Sequence, residues 1–341
     1  MKTVPVQESL GMVLCHDITQ IIPGQFKGPA FRKGHVVQLD DIPRLLDMGK
    51  ERLYVWEIGQ GLVHENEAAR RIAKAAAGPG IIRSDPKEGK VDLIAEHDGL
   101  LKIDTDALEA VNSIDQVVFS TLHSYQRVTK GKTLAGTRVI PLVIAEQRIK
   151  EVEMICWRAH PLIEVKPFRC LKTGIVTTGS EVYHGRIQDR FGPVVRKKVE
   201  DLGCEYLGQV YVSDRIDQIV EAIQGLIREG ARMVTVTGGM SVDPDDVTPA
   251  AIRAVGGRVV TYGAPVLPGA MFMLAYLGEV PVMGLPGCVM YHKSSIFDIV
   301  LPRILAGEEM TRKDFVKLAH GGLCVQCERC RYPDCGFGKG T

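Results

Sequence analysis

The sequence lacks the two hydrophobic features that direct a chain into or across a membrane. Its opening residues carry a single lysine with no apolar core behind it, so no secretory signal is predicted. The most apolar stretch, residues 270–290, is interrupted by glycine, glutamate and proline residues. A membrane helix needs about 20 apolar residues in succession. We therefore expect a cytoplasmic protein that has no membrane partner.

A surplus of charge of either sign is also absent. The 42 Lys and Arg residues nearly balance the 41 Asp and Glu residues, which leaves a net charge of +1. A protein that binds nucleic acid through the phosphate backbone usually carries a basic surplus or a basic stripe. We therefore predict no nucleic-acid partner, while a local basic pocket stays compatible with this composition.

The nine cysteines do not form the evenly spaced pattern of a secreted disulfide framework. Five of them are scattered over the chain, and the other four lie between Cys324 and Cys335. This distribution indicates free thiols or metal ligands in a reducing compartment.

The pattern of apolar residues divides the 341-residue chain into three predicted parts. Residues 1–167 contain short apolar runs broken by Gly, Asp and Asn, which predicts a β-rich region with small helices. Residues 168–310 alternate buried strands with amphipathic helices, which predicts an α/β domain with a mostly parallel, doubly wound sheet. Residues 311–341 form a cysteine-rich tail.

Apolar spacing also predicts the individual elements of the α/β domain. Ile219, Ile223 and Leu226 share one face of an amphipathic helix. Residues 270–290 predict a helix, a turn, a buried strand and a loop in that order, and residues 290–305 predict one helix. The predicted strands of this domain are residues 173–178, 204–212, 233–237, 259–262 and 281–283.

Ligands of a parallel α/β sheet bind beyond the carboxyl ends of its strands, where loops lead into helices. The first such loop contains Thr178, Gly179 and Ser180, so a phosphate group can approach the backbone N–H groups. Glu181 adds a carboxylate that could hold Mg²⁺ or a pterin N–H group. A plain strand-to-loop turn is the alternative interpretation.

The second loop, residues 236–249, is more specific because it combines paired glycines with a cluster of acidic side chains. Gly238 and Gly239 allow a ligand to approach the backbone closely, and the carboxylates could bind a hard cation that bridges to a phosphate or another oxyanion. In the alternative interpretation Asp245 and Asp246 only stabilise the dipole of the following helix, and Asp243 is solvated. The acidic residues are Asp243, Asp245 and Asp246, preceded by Ser241.

Two further loops carry Pro-Gly turns beside apolar strands. One is Pro268-Gly269, and the other is Pro286-Gly287, which Cys288 follows. Such turns can present backbone N–H groups to a ligand, although either turn alone is better explained as a structural turn. The prediction of a site therefore depends on the combination of all four loops.

Five short motifs occur in a fixed order along residues 172–307: TGSE ending at Glu181, VSD ending at Asp214, TGGMSVDPDD ending at Asp246, and two LPG turns. In this order and spacing they resemble the MoaB/Mog-type molybdopterin-binding domain. That domain occurs in molybdopterin adenylyltransferases, in molybdopterin molybdenumtransferases and in competence-damage-inducible (CinA-type) proteins. The GGxSV form and the LPG before a long helix resemble the molybdenumtransferase branch. The resemblance therefore implies a protein of molybdenum cofactor biosynthesis.

The resemblance also implies a role for each motif. Glu181, Asp214 and Asp246 match carboxylates that the family uses to handle the cofactor or molybdate, and with Asp243 they would position Mg²⁺ or molybdate. The family tends to form dimers or trimers, so a homo-oligomer is implied. The residues implied to contact molybdopterin or adenylylated molybdopterin are Thr178, Gly179, Ser180, Asp189, Thr237, Gly238, Gly239, Ser241, Asp243, Asp245, Pro268, Gly269, Pro286, Gly287 and Cys288.

Two positions depart from the pattern of the family. Phe191 stands where the family has Asn, and Cys288-Val289 stands where it has Asn-Pro, so two amide side chains are missing from the implied pocket. Two other functions therefore stay open beside the insertion of molybdate. One is a non-catalytic molybdopterin carrier or sensor. The other is a nucleotide pyrophosphatase of the CinA type, which the sequence Asp245-Asp246-Val-Thr suggests.

The tail places four cysteines, Cys324, Cys327, Cys330 and Cys335, close together in the chain. Four thiolates so spaced can wrap one tetrahedral metal ion or an iron–sulfur cluster. The Cys-x2-Cys-x2-Cys run is similar to the spacing of cluster-binding ferredoxins, whereas a single Zn²⁺ more often uses two separated Cys pairs. Three interpretations stay open: an iron–sulfur cluster, a Zn²⁺ ion, and a redox-active or disordered tail.

Overall fold

The computed structural model describes residues 2–22, 26–55, 61–140 and 142–340. The chain folds into two compact units. The first unit comprises residues 1–96, 103–122 and 130–164, and the second comprises residues 97–102, 123–129 and 165–341. The second unit therefore contains the predicted α/β domain and the cysteine-rich tail, together with two short segments from the first half of the chain.

Residues 2–55 contain two antiparallel strand pairs and one short α-helix. The elements are β1 (Lys2–Pro5), a 3-10 helix (Val6–Glu8), β2 (Ile18–Ile22), β3 (Phe26–Phe31), α1 (Asp41–Asp47) and β4 (Arg52–Val55). Strand β1 pairs with β4, and β2 pairs with β3. Val6, Leu14, Phe31, Leu45 and Leu53 are buried together, so this small module has an apolar core of its own.

Residues 61–166 contain the remaining strands of the predicted β-rich region. The elements are β5 (Leu62–His64), α2 (Glu65–Ala76), β6 (Ile81–Arg83), β7 (Lys90–Ala95), β8 (Gly99–Ile103), α3 (Thr105–Asn112), β9 (Val117–Thr121), β10 (Arg127–Val128), β11 (Thr133–Val139), β12 (Val143–Ala145), α4 (Glu146–Arg158) and β13 (Ile163–Lys166). The largest sheet has the order β6-β7-β11-β9, while β5 pairs with β12, and β8 lies between β10 and β13. The β-rich character is confirmed, and α2 and α4 have 12 and 13 residues.

The second unit is built around one six-stranded sheet. Its elements are β14 (Lys172–Thr178), α5 (Ser180–Tyr183), α6 (Phe191–Glu200), β15 (Glu205–Val212), α7 (Ile216–Arg228), β16 (Met233–Thr237), α8 (Thr248–Ala254), β17 (Arg258–Tyr262), β18 (Met273–Leu277), β19 (Val280–Leu285), α9 (Cys288–Tyr291), α10 (Ile296–Leu305) and α11 (Arg312–Lys317). The strand order is β15-β14-β16-β19-β18-β17. The first three pairings are parallel, and β18 is antiparallel to both of its neighbours. The predicted α/β class with a mostly parallel sheet is confirmed.

Helices cover both faces of this sheet. Ile175 and Val176 are neighbours in β14, yet they belong to different core clusters because successive side chains of a strand point to opposite faces. Helices α6 and α10 pack into the cluster that contains Ile175, and α7 and α8 pack into the cluster that contains Val176. The sheet is therefore doubly wound, as predicted. Within the described ranges, no helix combines the length and apolarity that a membrane crossing requires.

The prediction of a helix at the start of residues 270–290 is wrong, because the structure has strand β18 there. Strand β18 pairs with β19, and Leu277 lies opposite Val280. Gly278, with φ +60°, therefore occupies the tight two-residue turn that a hairpin of this kind favours. A run that is apolar on every side has no periodicity that separates a buried strand from a helix.

The single helix predicted over residues 290–305 is also wrong, because residues 292–295 separate α9 from α10. Ser295 is extended and accepts a hydrogen bond from the backbone N–H of Phe297 at 3.3 Å. Asp298 in turn accepts one from the backbone N–H of Ser295 at 2.8 Å. This reciprocal capping box starts a new helix directly after the polar residues 292–295.

Candidate functional site

The loops that were predicted to bind a ligand meet at one edge of the six-stranded sheet. Strands β14, β15, β16 and β19 are parallel, so their carboxyl ends lie at the same edge. Strand β17 runs in the same direction because two antiparallel pairings separate it from β19. The loops that follow these five strands are therefore neighbours.

A cavity of about 480 Å³ opens between three of these loops. Its lining combines residues of the glycine-rich loop after β16, the loop before β18 and the loop after β19. The predicted ligand residues that line it are Gly238, Gly239, Ser241, Asp246, Pro286, Gly287 and Cys288. Its other lining residues are Phe191, Met240, Ala270, Met271 and Leu285. The structure thus brings the second and fourth predicted loops together.

Gly238 packs so tightly against the first loop that a side chain has no space there. Its φ is +87°, and a Cβ atom at this position would lie 2.3 Å from the carbonyl oxygen of Thr178. The hydroxyl of Thr248 donates a hydrogen bond to the carbonyl oxygen of Gly238 at 2.8 Å. Thr178 therefore packs against the glycine loop and does not line the cavity.

Of the three acidic residues in this loop, only Asp246 lines the cavity. The Asp246 carboxylate accepts a hydrogen bond from the backbone N–H of Asp243 at 3.1 Å, and the backbone N–H of Asp246 donates to the carbonyl oxygen of Asp243 at 2.9 Å. The side chains of Asp243 and Asp245 are exposed and lie outside the lining. The turn between Asp243 and Asp246 thus places the Asp246 carboxylate in the cavity and leaves those of Asp243 and Asp245 in solvent.

The loops after β14 and β15 are joined to each other rather than to the cavity. Asp214 accepts a hydrogen bond from the backbone N–H of Ser180 at 2.7 Å, and the hydroxyls of Ser180 and Ser213 lie 3.0 Å apart. Glu181 is exposed, and its carboxylate lies beside Gly179, which has φ +138°. Asp214 is therefore placed to shape the first loop, whereas Glu181 is free to meet a ligand that extends beyond the cavity.

Asp189 caps helix α6 at the edge of the site. Its carboxylate accepts hydrogen bonds from the backbone N–H groups of Phe191 at 2.7 Å and Gly192 at 3.1 Å, which stabilises the helix start. The side-chain amide of Gln209 donates to Asp189 at 2.6 Å and to the hydroxyl of Thr177 at 2.7 Å. Gln209 was not among the predicted residues, because a single polar residue in a strand carries no signal until its neighbours in space are known.

The turn at Pro268-Gly269 has a structural role. The carbonyl oxygen of Pro268 accepts a hydrogen bond from the backbone N–H of Ile296 at 3.2 Å, and a Cβ atom on Gly269 would lie 2.4 Å from the Ile296 side chain. This turn therefore packs against the start of α10. The two residues that follow it, Ala270 and Met271, line the cavity instead.

The lining of the cavity is mainly apolar, with few polar groups. Asp246 is its one charged residue, and no Lys or Arg belongs to the described lining. The Cys288 thiol has a raised pKa, because it is half-buried, and the charge of Lys198 offsets part of that effect. The described lining therefore offers an anionic group no basic side chain.

We expect Cys288 to react with iodoacetamide several-fold more slowly than Cys170 at about pH 8. Burial both raises the pKa of the Cys288 thiol and shields its sulfur, whereas Cys170 is exposed. Mass spectrometry of the two tryptic peptides over time measures both rates in the same sample. Equal rates would contradict the burial of Cys288 in this cavity.

The four tail cysteines line a different cavity of the same unit, of about 460 Å³. All nine cysteines of the chain are free thiols. Within the described ranges, no three His, Cys, Asp or Glu side chains converge closely enough to hold a metal ion. The structure thus brings Cys324, Cys327, Cys330 and Cys335 to one cavity without joining them at one point.

Two segments of the chain match known protein families. Residues 174–306 match the family described as Probable molybdopterin binding domain. Residues 3–57 match a second family, described as Domain of unknown function (DUF8806). Residues 174–306 of the α/β domain are therefore similar to probable molybdopterin binding domains, and the resemblance inferred from the five motifs is confirmed.

The relatives found by sequence match over only part of this chain and only part of their own length. A molybdopterin molybdenumtransferase of Synechococcus elongatus is 26% identical over 147 residues, which cover 41% of this chain and 36% of the relative. A CinA-like protein of Mycobacterium sp. (strain MCS) is 36% identical over 87 residues, which cover 26% of this chain and 21% of the relative. The tungsten cofactor synthesizing protein MoaB of Pyrococcus furiosus is 20% identical, covers 40% of this chain and 96% of that structure, and has a TM-score of 0.34. The chain thus spans about a third of the transferase and about a fifth of the CinA-like protein.

Proposed function

We propose that the cavity between the β16, β18 and β19 loops binds molybdopterin or adenylylated molybdopterin. The observation that carries the proposal is the convergence of two predicted loops on one cavity of about 480 Å³, inside the segment that matches the family. A volume of this size lies in the range of about 300–1,000 Å³ that is typical of small-molecule sites.

The side chains around the cavity suit a flat, polar-edged ring. Phe191, Met240 and Met271 offer an aromatic ring and polarisable thioethers, which make favourable contacts with the faces of ring systems. The Ser241 hydroxyl and the Asp246 carboxylate can accept hydrogen bonds from ring N–H groups. Such a lining holds a pterin by its faces and orients it by a few polar contacts.

Asp246 is also the residue that would hold Mg²⁺. Magnesium is usually bound by one or two carboxylates together with substrate phosphates and water, so a single lining carboxylate fits the ion when a phosphate ligand is bound. When bound, the ion would balance phosphate charge in a cavity whose described lining has no basic residue. The chain itself contributes the Asp246 carboxylate, the glycine loop at Gly238 and the apolar walls of the cavity.

Replacing Asp246 with asparagine is expected to weaken the binding of adenylylated molybdopterin in the presence of Mg²⁺ by about tenfold, or about 1.4 kcal/mol. The substitution removes the charge and keeps the shape of the side chain. Glu229→Gln is the matched control, because Glu229 is exposed at the end of α7, at the opposite edge of the sheet. Isothermal titration calorimetry of wild type and both variants measures the effect. Equal affinities in all three proteins would place the ligand elsewhere.

Measurements of turnover distinguish an enzyme that inserts molybdate from a carrier or sensor and from a pyrophosphatase. Insertion of molybdate predicts AMP release when the protein is incubated with adenylylated molybdopterin, Mg²⁺ and molybdate. Binding without AMP release supports a carrier or sensor, a function favoured by the placement of Phe191 and Cys288 in the cavity where the family has amides. Hydrolysis of ADP-ribose with a divalent cation supports a CinA-type pyrophosphatase, which the similarity to a CinA-like protein favours. Light scattering of the same samples measures the molar mass and so tests the proposed homo-oligomer.

A further inference from the structure

The cavity of about 460 Å³ at the chain's cysteine-rich tail shares no lining residue with the proposed ligand site. We propose that Cys324, Cys327, Cys330 and Cys335 form one tetrathiolate centre that binds a zinc ion or a small iron–sulfur cluster. The proposal depends on the tail alone and is independent of what the other cavity binds.

The tail is closed into a loop by its own backbone. The N–H of Gly338 donates a hydrogen bond to the carbonyl oxygen of Gly321 at 2.9 Å. All four cysteines lie between these two glycines. Because the ends of the segment are already joined, the four thiols are confined to a small volume before any metal binds.

Both ends of the loop are also attached to the α/β domain. On one side, the N–H of Cys324 donates to the carbonyl oxygen of Leu267 at 2.8 Å, and the N–H of Leu267 donates to the carbonyl oxygen of Gly322 at 2.8 Å. On the other side, the hydroxyl of Tyr332 donates to the carbonyl oxygen of Asp298 in α10 at 2.8 Å. The alternative of a disordered tail is therefore disfavoured by these anchors.

The four thiols differ in how firmly they are held. Cys324 and Cys335 are half-buried and pack against the core cluster beneath the tail. Cys327 and Cys330 are exposed, and the Cys330 sulfur lies 3.2 Å from the hydroxyl of Ser294. Two ligands are thus anchored on the domain, and the other two are on an exposed stretch.

Metal binding requires the exposed stretch to close. Sulfur atoms around a tetrahedral Zn²⁺ are about 3.8 Å apart, given Zn–S bonds of about 2.3 Å. Among the described residues, no three His, Cys, Asp or Glu side chains are placed so that they could hold a metal ion. The residues between Cys324 and Tyr332 are exposed, so few packing contacts oppose their movement toward the anchored thiols.

The composition of the tail explains why a metal would be useful there. Leu323 and Val325 are 69% and 80% exposed, so these two apolar side chains beside Cys324 add nothing to the core. Short segments that cannot bury a core are commonly stabilised by a structural metal. The thiols bind as thiolates, so one proton is released for each thiol that is protonated before binding.

The test measures metal in the full chain after anaerobic purification. We expect about one zinc per chain, or iron with a matching amount of acid-labile sulfide and visible absorption. Cys327→Ser and Cys330→Ser should each lower the metal content by about tenfold, because the two exposed thiols complete the site. Cys170→Ser is the matched control, since Cys170 is exposed and outside the tail, and it should retain the wild-type metal content.

Three results would overturn the proposal. The first is metal-free wild-type protein, under anaerobic conditions and after incubation with zinc, with four titratable tail thiols. The second is a disulfide between tail cysteines in the anaerobic protein, found by mass spectrometry. The third is an equal loss of metal in Cys170→Ser and the two tail variants. Zinc and iron–sulfur outcomes both support the centre and are distinguished by colour and sulfide content.

Discussion

Gly238→Ala is expected to lower the stability of the six-stranded sheet by about 3 kcal/mol and to abolish ligand binding. Gly238 has φ +87°, a conformation that alanine adopts only with strain. In addition, the new Cβ atom would lie 2.3 Å from a backbone oxygen, that of Thr178, which cannot move without shifting β14. The two loops would separate, and the floor of the cavity would change shape.

Gly256→Ala isolates the contribution of the backbone conformation. Gly256 has nearly the same φ, +89°, but no atom lies within 4 Å of the position of its Cβ. This control is expected to lose only about 1 kcal/mol and to bind ligand as the wild type does. Hydrogen exchange of the β14 and β16 amides measures the free energy of opening in both variants. Similar losses in both would show that Thr178 does not approach Gly238 closely.

Arg303→Met is expected to destabilise the second unit by about 3 kcal/mol. Arg303 is 5% exposed and donates hydrogen bonds to Glu308 at 3.0 Å and to Asp314 at 2.8 Å. Its guanidinium group also lies over the ring of Tyr125, 4.1 Å from the centroid. Methionine fills part of the volume but leaves the buried carboxylate of Glu308 and the half-buried carboxylate of Asp314 without this cation. Removing one partner of a buried ion pair is strongly destabilising because it leaves an uncompensated charge.

Arg258→Met is the matched control, because Arg258 forms an ion pair with Glu309 that is 57% and 70% exposed. An exposed pair contributes at most about 1 kcal/mol. Urea unfolding followed by far-ultraviolet circular dichroism compares both variants with the wild type. If Arg258→Met were as destabilising as Arg303→Met, burial would not explain the effect.

The same network gives the stability a defined pH dependence. Burial alone would raise the pKa of Asp314, but hydrogen bonds from Thr311 and Arg303 lower it from 3.8 to about 2. A lowered folded-state pKa stabilises the protein above the unfolded value, so this stabilisation is complete above about pH 5 and is lost as the pH falls from there toward 2. Arg303→Met should reduce the pH dependence in this window, measured by repeating the urea unfolding at each pH.

Much of the second unit could be predicted from the sequence because its apolar residues have a clear period. The face formed by Ile219, Ile223 and Leu226 corresponds to α7, and the apolar runs at 173–178 and 233–237 correspond to β14 and β16. One wrong prediction lies in a segment that is apolar on every side, and the other crosses the polar residues 292–295. In the first segment the hairpin pairing of β18 with β19 makes the residues a strand. In the second, the capping box at Ser295 starts a separate helix.

Some residues of the candidate site could also be predicted from the sequence, and others could not. Glycine and acidic residues after a buried strand predicted that the loop after β16 belongs to a site, and the cavity contains Gly238, Gly239 and Asp246. Asp243 and Pro268 were also predicted to contact the ligand, yet Asp243 is exposed to solvent and Pro268 packs against α10. Such distinctions depend on where each side chain points after the loop has folded.

By itself, the sequence determined the α/β class, the edge of the sheet that carries the loops, and the chemistry those loops can offer. These properties follow from local periodicity and from the types of residue that end each strand. Only the tertiary structure decided that Phe191, Asp246 and Cys288 share a cavity while four tail cysteines share another. Distances between side chains on different loops depend on strand register and helix packing, which no local pattern encodes.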